Sequence, residues 1–249
     1  VPVIVLSATL PADKRKSVVE AYLGRDFLPS QQTDPLAGLP LAEEETPAWI
    51  QNCEYPLITY TDGTEIIQRT VPKEDRDRTV TVDQVVETDL VSLLNGKLSE
   101  GGCAGVLVNT VRRAQEISRT LRETFGEDVV RLLHSRFLAP DRAVKERELL
   151  SELGKPGGKT LRPSFRIVVG TQVLEQSLDI DFDIMVTELC PMDLLLQRMG
   201  RLHRHTRTRP QKLAEAQCFI IEEPEQEFDP ASEKIYGGYL LMRTKARLP

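Results

Sequence analysis

The chain has 249 residues, of which 40% are hydrophobic and 28% are charged, and its formal net charge is −6. This size and apolar content suit one α/β domain with additional elements, and no apolar run is long enough for a membrane span. The negative net charge argues against a protein that binds nucleic acid through a globally basic surface. No signal peptide is visible at the start. The four cysteines are widely scattered, so we expect them to be core residues of a protein in the reducing cytoplasm.

The first 52 residues predict a strand, a helix and a linker, in that order. An apolar run from Val3 ends in Ser7-Ala8-Thr9, which predicts a buried strand followed by small hydroxyl residues. A helix is predicted from Pro11 to Leu23, closed by the glycine that follows. The stretch 29–52 begins with many Pro, Gly and acidic residues, so we predict a linker there.

Three β-prone pieces follow, at residues 55–61, 65–71 and 79–86. Asp62-Gly63 lies between the first two pieces, and this pair is a strong hairpin signal. We therefore predict a small β-rich addition at the N-terminal side of the main domain.

Strands and helices alternate in the remainder of the chain, which predicts an α/β domain with a mostly parallel sheet and helices on both faces. The tail 229–248 is predicted as one more helix, weakened by Gly237-Gly238. The predicted strands lie near residues 104–109, 129–133, 165–169, 184–188 and 217–222, and the predicted helices near 87–99, 111–125, 140–153 and 191–203.

Arginines recur at a spacing of three after the predicted strand 184–188. If the helix runs from 191 to 203, Arg198, Arg201 and Arg204 lie on one of its faces, where guanidinium groups suit phosphate recognition. The alternative is a solvated basic helix face. Residues 198–212 carry six Arg or Lys and no acid, so we expect a basic stripe here on an otherwise acidic body.

The apolar run 166–169 predicts a second buried strand, and it is followed by Gly170-Thr171 and a short helical pattern that ends at Asp179. Ligands of open α/β sheets bind beyond the carboxyl ends of the strands, where Gly170-Thr171 would lie.

Taken in order, these segments resemble motifs of the superfamily 2 helicases. Ser7-Ala8-Thr9 resembles motif III, and Val169-Gly170-Thr171 with Asp179 resembles motif V. The run from Gln197 to Arg204 resembles motif VI. Five short segments resemble the helicase region of the CRISPR-associated type I helicase-nuclease. They are residues 55–59 (YPLIT), 108–111 (VNTV, at motif IV), 133–137 (LHSRF), 172–179 (QVLEQSLD) and 197–205 (QRMGRLHRH). The resemblance covers residues 3 to about 222.

This resemblance implies a RecA-like three-layer fold and a division of the chain between two lobes. Residues 1–28 would be the end of a first RecA-like lobe, 29–52 a linker, and 53–228 the second RecA-like lobe. Residues 229–249 would be a C-terminal helix that leads to an accessory domain, which is missing here. The chain begins with Val1 rather than methionine, which also suggests a fragment.

Two parts of such a helicase are absent from the sequence: a Walker A loop and an acidic Walker B box. The one lookalike, 157–160 (GGKT), has Leu153 where the first glycine of a phosphate loop should be. Three histidines are too few for the metal-dependent HD nuclease of the family, and His203 and His205 beside arginines would make a poor zinc site. We therefore predict no metal site in this chain.

The resemblance implies a nucleotide role for several of these residues. ATP and Mg²⁺ would be held mainly by the missing first lobe, and Arg204 would be the arginine finger, with Arg201 the second choice. Gln197 would sense the nucleotide or couple to the two arginines, and Asp179 would approach the ribose hydroxyls. A structural alternative for Asp179 is that it caps the turn into Ile180.

Nucleic acid would cross the carboxyl ends of the strands, and the predicted contacts are Thr171, Asn109, Thr110, His134 and Arg136. Asn109 and Thr110 could equally cap the helix that begins at Val111, and His134 could be a core residue. Ser7 and Thr9 would couple the nucleotide state to the grip on the strand.

The leading hypothesis is therefore the second lobe of an ATP-dependent single-stranded DNA translocase of CRISPR interference, inactive by itself. Its partners would be the first RecA-like lobe, the HD nuclease domain, single-stranded DNA and the CRISPR surveillance complex. Two alternatives remain: a lobe of another superfamily 2 DNA or RNA helicase, and a non-catalytic module that binds nucleic acid or the surveillance complex.

Overall fold

The computed structural model describes residues 3–5, 10–24, 47–54, 56–70, 79–157, 161–175, 178–222 and 228–248. Packing divides the chain into an N-terminal unit, Val1–Asp77, and a C-terminal unit, Arg78–Pro249. Ser7 and Thr9, which were predicted to couple nucleotide and nucleic acid, lie outside the described residues.

The N-terminal unit contains the predicted helix and a short second one, α1 (Ala12–Leu23) and α2 (Ala48–Gln51). Gly24 follows α1 with φ of 82°, a left-handed conformation that only glycine adopts without strain. The Arg15 guanidinium donates hydrogen bonds to the carbonyls of Trp49, Ile50 and Asn52, at 3.1, 2.8 and 2.7 Å. Arg15 thus joins α1 to the C-terminal end of α2, where free carbonyls favour a cation.

The predicted hairpin is confirmed as β1 (Leu57–Thr61) paired antiparallel with β2 (Ile66–Thr70). Asp62 accepts hydrogen bonds from the hydroxyl and the N–H of Thr64 and from the N–H of Glu65, and these bonds lower the pKa of Asp62 to about 2. The hairpin packs within the N-terminal unit. The predicted division of the chain had placed it in the second lobe, residues 53–228.

The strand predicted at the start of the chain is not formed by Val3–Val5, which are exposed by 63, 84 and 51%. An apolar run becomes a buried strand only where neighbouring strands pair with it on a sheet. Among the described residues of this unit, β1 and β2 pair only with each other.

A six-stranded sheet forms the C-terminal unit, and all its strands are parallel. The spatial order is β3-β8-β7-β4-β6-β5. The strands are β3 (Val80–Val86), β4 (Gly102–Leu107), β5 (Val130–Leu133), β6 (Phe165–Gly170), β7 (Ile184–Glu188) and β8 (Ala216–Glu222). The first of these, predicted as part of the β-rich addition, belongs instead to the main sheet.

The helices of this unit agree with the predicted pattern except in two places. They are α3 (Leu90–Lys97), α4 (Val111–Phe125), α5 (Ala139–Leu153), α6 (Met192–Met199), α7 (Pro230–Tyr236) and α8 (Gly238–Lys245). Helix α6 ends at Met199 and not near residue 203. The tail forms two helices instead of one, because Gly237 with φ of 81° interrupts it. None of the described helices is long and apolar enough to cross a membrane.

Side chains alternate between the two faces of the sheet and build a core on each face. Val106 and Val186 pack with residues of α3 and α4, whereas Leu107 and Met185 pack with residues of α5. Both cores are buried because helices cover the two faces. The expected α/β architecture of three layers is therefore confirmed.

Candidate functional site

The carboxyl ends of β4, β6 and β7 meet at one edge of the parallel sheet, which we call the C-edge. Asn109 and Thr110 follow β4, Thr171 follows β6, and Glu188 ends β7. Open α/β sheets bind ligands at this position, so it is where the predicted site residues were expected to meet.

Asn109 is 2% exposed, and protein groups contact both ends of its side-chain amide. Its Oδ1 accepts from Arg198 Nη2 at 2.8 Å, and its Nδ2 donates to the carbonyl of Leu189 and to Ser232 Oγ, at 2.8 and 2.7 Å. The backbone N–H of Asn109 donates to Glu188 Oε2 at 2.6 Å. Asn109 therefore organises the C-edge from within and presents almost no surface to a nucleic acid.

Thr110 caps helix α4. Its Oγ1 accepts a hydrogen bond from the N–H of Arg113 at 3.2 Å, so the alternative that Thr110 caps the helix agrees with the structure. Thr110 is also half-buried rather than buried, so a contact with nucleic acid stays a prediction.

Thr171 and His134 are buried, with exposed fractions of 2 and 4%. The His134 ring stacks on Phe137 with centroids 4.2 Å apart, and burial lowers its pKa. The burial of His134 agrees with the core alternative, although its Nδ1 has no hydrogen-bond partner among the described residues. Arg136, between His134 and Phe137, is exposed, so its contact with nucleic acid stays a prediction.

Arg198 contradicts the expected row of arginines on one helix face. It is 0% exposed, and its Nε donates to Glu175 Oε1 at 2.6 Å, while Nη1 donates to Thr187 Oγ1 at 2.6 Å. Burial disfavours its charged form, but nearby Cys190 and Glu175 raise the pKa of Arg198 above its ordinary value. Arg198 thus joins α6 to the sheet interior and is unavailable to phosphate.

Helix α6 ends early because the next residues pair with the segment before β7. The N–H of Phe182 donates to the carbonyl of Arg201 at 2.8 Å, and the N–H of His203 donates to the carbonyl of Phe182 at 2.9 Å. His203 adopts a φ of 50° in this turn. Arg201 and Arg204 therefore lie on a turn beyond the helix.

Arg201 is half-buried and incompletely bonded. Its Nη2 donates to the carbonyl of Glu175 at 2.5 Å, but its Nε is buried without a hydrogen-bond partner in the described part of the chain. Burial and then the positive charge of Arg204 lower the pKa of Arg201. A buried cationic N–H that lacks an acceptor is costly, and at Arg201 a second positive charge, that of Arg204, lies nearby.

Arg204 and Asp179 form an exposed ion pair. Arg204 Nε lies 2.5 Å from Asp179 Oδ1, and the two side chains are 37 and 50% exposed. His205 Nε2 is 3.2 Å from the same oxygen. Burial opposes ionisation of Asp179, but the hydrogen bond from Arg204 and the neighbouring positive charges lower its pKa.

The structure thus brings together three of the predicted nucleotide residues, Arg201, Arg204 and Asp179. Gln197, the fourth, lies in the last turn of α6 and is half-buried. The roles of these residues toward a nucleotide stay predictions.

Sequence reasoning missed a buried cluster of two aspartates and three arginines. Asp181 and Asp183 are 0 and 2% exposed. Arg209 Nη2 and Arg207 Nε lie 2.9 and 2.5 Å from Asp181 Oδ2, and Arg162 Nη2 lies 2.8 Å from Asp183 Oδ2. Arg209 also contacts Asp183. The available signal was the alternation of acidic and apolar residues at 179–183, directly before a buried strand.

This cluster contradicts the expected basic stripe over residues 198–212. Arg198, Arg207 and Arg209 are paired with carboxylates and are buried or nearly so. Three of the six basic residues in the segment are therefore neutralised inside the protein.

The described residues contain no group of three or more His, Cys, Asp or Glu side chains that could hold a metal ion. Among the cysteines, Cys103, Cys190 and Cys218 are buried and free, and Cys53 is exposed and free. Burial raises the pKa of each of the three buried thiols to about 12.

Comparisons with known proteins agree with these motifs and with this fold. A family profile described as CRISPR-associated nuclease/helicase Cas3, C-terminal, matches residues 100–207. The CRISPR-associated nuclease/helicase Cas3 of Streptococcus thermophilus is 43% identical over 250 residues, which cover 100% of this chain and 26% of the relative. The chain thus spans about a quarter of that relative's length.

Solved structures extend the agreement to three dimensions. The structure of T. fusca Cas3-ATP is 31% identical, with a TM-score of 0.75 over 98% of this chain and 29% of the other. A chain of a structure described as a CRISPR RNA-guided surveillance complex, pre-nicking, is 29% identical, with a TM-score of 0.73 over 98% of this chain and 31% of the other. The three-layer domain is therefore RecA-like, and the chain belongs to the Cas3 family of CRISPR-associated proteins as its C-terminal helicase lobe.

Proposed function

We propose that this lobe supplies Arg201 and Arg204 to a nucleotide that is held mainly by another lobe, and that it forms half of a groove for single-stranded DNA. The observation that carries the proposal is the buried Nε–H of Arg201, which has no acceptor among the described residues and lies close enough to Arg204 for mutual repulsion. An anion bound between the two guanidiniums would relieve both costs.

Bound with Mg²⁺ at the other lobe, ATP would supply the γ-phosphoryl group, which is transferred to water with ADP as the leaving group. Arg204 would leave Asp179 and donate to the γ-phosphate, since a phosphate accepts the same guanidinium geometry as a carboxylate. Both side chains are partly exposed, so solvent and a ligand have access to the pair. Asp179, once released, would accept from ribose hydroxyls.

The arginines would act on the transition state, in which negative charge spreads over the transferred group. Arg201 is positioned by the carbonyl of Glu175, and that residue's carboxylate is held by Arg198. Gln197, in the turn before Arg201, would sense the nucleotide. A pre-positioned charge of this kind needs little rearrangement when the reaction occurs.

Single-stranded DNA would cross the C-edge, contacting Thr110 and Arg136 directly, because both have exposed surface. Thr171 would contribute once small movements expose its hydroxyl, while Asn109 and His134 would shape the groove from beneath. The relatives named as Cas3 nuclease/helicases and the similarity to a surveillance-complex chain support this setting. The proposed partners are therefore a first RecA-like lobe, an HD nuclease domain and that complex.

The decisive experiment is Arg204→Ala in the complete protein, with DNA-stimulated ATP hydrolysis as the measurement. Loss of an arginine finger should lower the rate by about two orders of magnitude or more. The matched control is Arg119→Ala, because Arg119 is an exposed arginine in the middle of α4, about two turns beyond the helix end at the C-edge.

An undiminished rate in Arg204→Ala would refute the finger role and favour the non-catalytic binding module. Stronger stimulation by RNA than by single-stranded DNA would favour another type of superfamily 2 helicase. ATP hydrolysis by the purified 249-residue chain should be absent with and without DNA, since a phosphate loop is missing from its sequence.

A further inference from the structure

Helix α7 presents two polar side chains to the C-edge. Ser232 and Tyr236 are four residues apart and therefore lie on the same face of the helix. Asp229 fixes the start of the helix, because its Oδ2 accepts from both the N–H and the Oγ of Ser232 at 2.7 Å. None of the motif resemblances assigned a role to this helix.

The two side chains connect the ends of two separate strands. Tyr236 Oη accepts from Gln172 Nε2 at 2.9 Å and lies 3.5 Å from Asn109 Oδ1. Ser232 Oγ accepts from Asn109 Nδ2 at 2.7 Å. Gln172 directly follows Thr171 beyond β6, and Asn109 directly precedes Thr110 beyond β4. Helix α7 therefore holds both predicted nucleic-acid positions through their chain neighbours.

The same network continues to the predicted nucleotide residues. Asn109 Oδ1 accepts from Arg198, which is paired with Glu175, and the carbonyl of Glu175 accepts from Arg201. Every link in this series is a single hydrogen bond or ion pair within the buried or half-buried interior. Interactions of this kind are strong and directional because little water competes for them.

The Tyr236 hydroxyl is separable from the packing of its ring. The ring packs beside the buried cluster of Cys190, Leu195 and Ile220, whereas the hydroxyl reaches into the polar network. Burial raises the pKa of Tyr236, so the hydroxyl keeps its proton at neutral pH. A phenylalanine would fill the same volume without this connection.

We propose that Tyr236 and Ser232 are positioning residues. They fix the predicted nucleic-acid residues of the C-edge relative to Arg201 and Arg204. This inference rests on the proposed function, and it adds that α7 holds in place the residues through which DNA binding would affect ATP hydrolysis. A bound DNA strand that displaces Thr110 or Thr171 would also move Asn109 or Gln172. The hydrogen-bond network would then carry that shift to Arg198 and Arg201.

The test is Tyr236→Phe in the complete protein, compared with Tyr239→Phe as the matched control. Tyr239 lies on α8 and is 65% exposed, so loss of its hydroxyl should change nothing. ATP hydrolysis is measured against single-stranded DNA concentration and against ATP concentration. In Tyr236→Phe, the ratio of the stimulated to the unstimulated rate should fall about threefold to tenfold, as expected for one lost hydrogen bond in the coupling network.

The KM for ATP should stay within about twofold, since a positioning residue does not touch the nucleotide. Ser232→Ala, which breaks the second connection to Asn109, should lower the same ratio. Thermal unfolding of each variant identifies any general loss of folding.

An unchanged ratio in both Tyr236→Phe and Ser232→Ala would overturn the inference while leaving the proposed function standing. Equal falls in the stimulated and unstimulated rates would also overturn it, because they indicate a structural role alone. If the wild-type protein shows no stimulation by DNA, the proposed function itself fails, and the inference fails with it.

Discussion

The surroundings of Arg198 and of Arg204 differ sharply, although the two arginines are only six residues apart in one motif. Arg198 is fully buried and bonded to Glu175, Thr187 and Asn109. Arg204 is 37% exposed and pairs with Asp179, which is 50% exposed. The same side chain therefore stabilises the fold at one position and is accessible to a ligand at the other.

Solvent access decides the energetics of the two pairs. Removing one member of a buried pair leaves an uncompensated charge, which typically costs about 3–5 kcal/mol. An exposed pair is screened by water and contributes about 0–1 kcal/mol. The interior pair is therefore strongly held, and the surface pair can exchange its partner.

The largest expected effect is that of Arg198→Ala. The variant should lower the free energy of unfolding by about 3–5 kcal/mol, because Glu175 stays buried without its cation. Urea denaturation followed by circular dichroism measures this difference. The control is Arg112→Ala, on the surface of α4, for which we expect at most about 0.5 kcal/mol. A loss below about 1 kcal/mol for Arg198→Ala would contradict the expected cost of leaving Glu175 buried without its cation.

Asp181→Asn should have an intermediate effect. Asp181 is 0% exposed and accepts from Arg209 and from the backbone N–H of Arg204. Loss of the charge should cost about 1.5–3 kcal/mol, the size of a hydrogen bond to an ionised group. The control Asp83→Asn changes an exposed carboxylate on β3. Equal denaturation midpoints for the two variants would contradict the predicted importance of the buried cluster.

The smallest expected effect is that of Asp179→Asn. The pKa of Asp179 is lowered in the folded chain, so its ion pair stabilises the protein above the usual aspartate pKa of about 4. This contribution is lost as the pH falls through the lowered pKa, because the carboxylate becomes protonated. Solvent screening limits it to at most about 1 kcal/mol.

Thermal unfolding of wild type and Asp179→Asn at pH 7 and at pH 3 measures that contribution. The difference between the two proteins should be present at pH 7 and shrink at pH 3. Added salt at pH 7 should also reduce it, because the pair is exposed. A difference that grows at low pH would show that Asp179 acts in another way.

The sequence by itself determined most of the secondary structure of the C-terminal unit and the family. Helix α4 and strand β7 lie at 111–125 and 184–188, where the predicted elements lie. The Asp62-Gly63 hairpin formed as predicted, since its turn depends on two adjacent residues. Such features follow from patterns over a few neighbouring residues, and one relative is 43% identical over the whole chain. Sequence was therefore sufficient for the architecture.

Only the tertiary structure decided which arginines face the interior. Arg198 pairs with Glu175, and Arg207 pairs with Asp181. Arg209 pairs with both Asp181 and Asp183. These carboxylates all lie well before the arginines in the sequence. The end of α6 at Met199 likewise depends on Phe182, which pairs with the residues that would continue the helix. A spacing of three predicts one face only while the helix lasts. The charge that reaches solvent is set by contacts between distant segments, and these exist only once the sheet has formed.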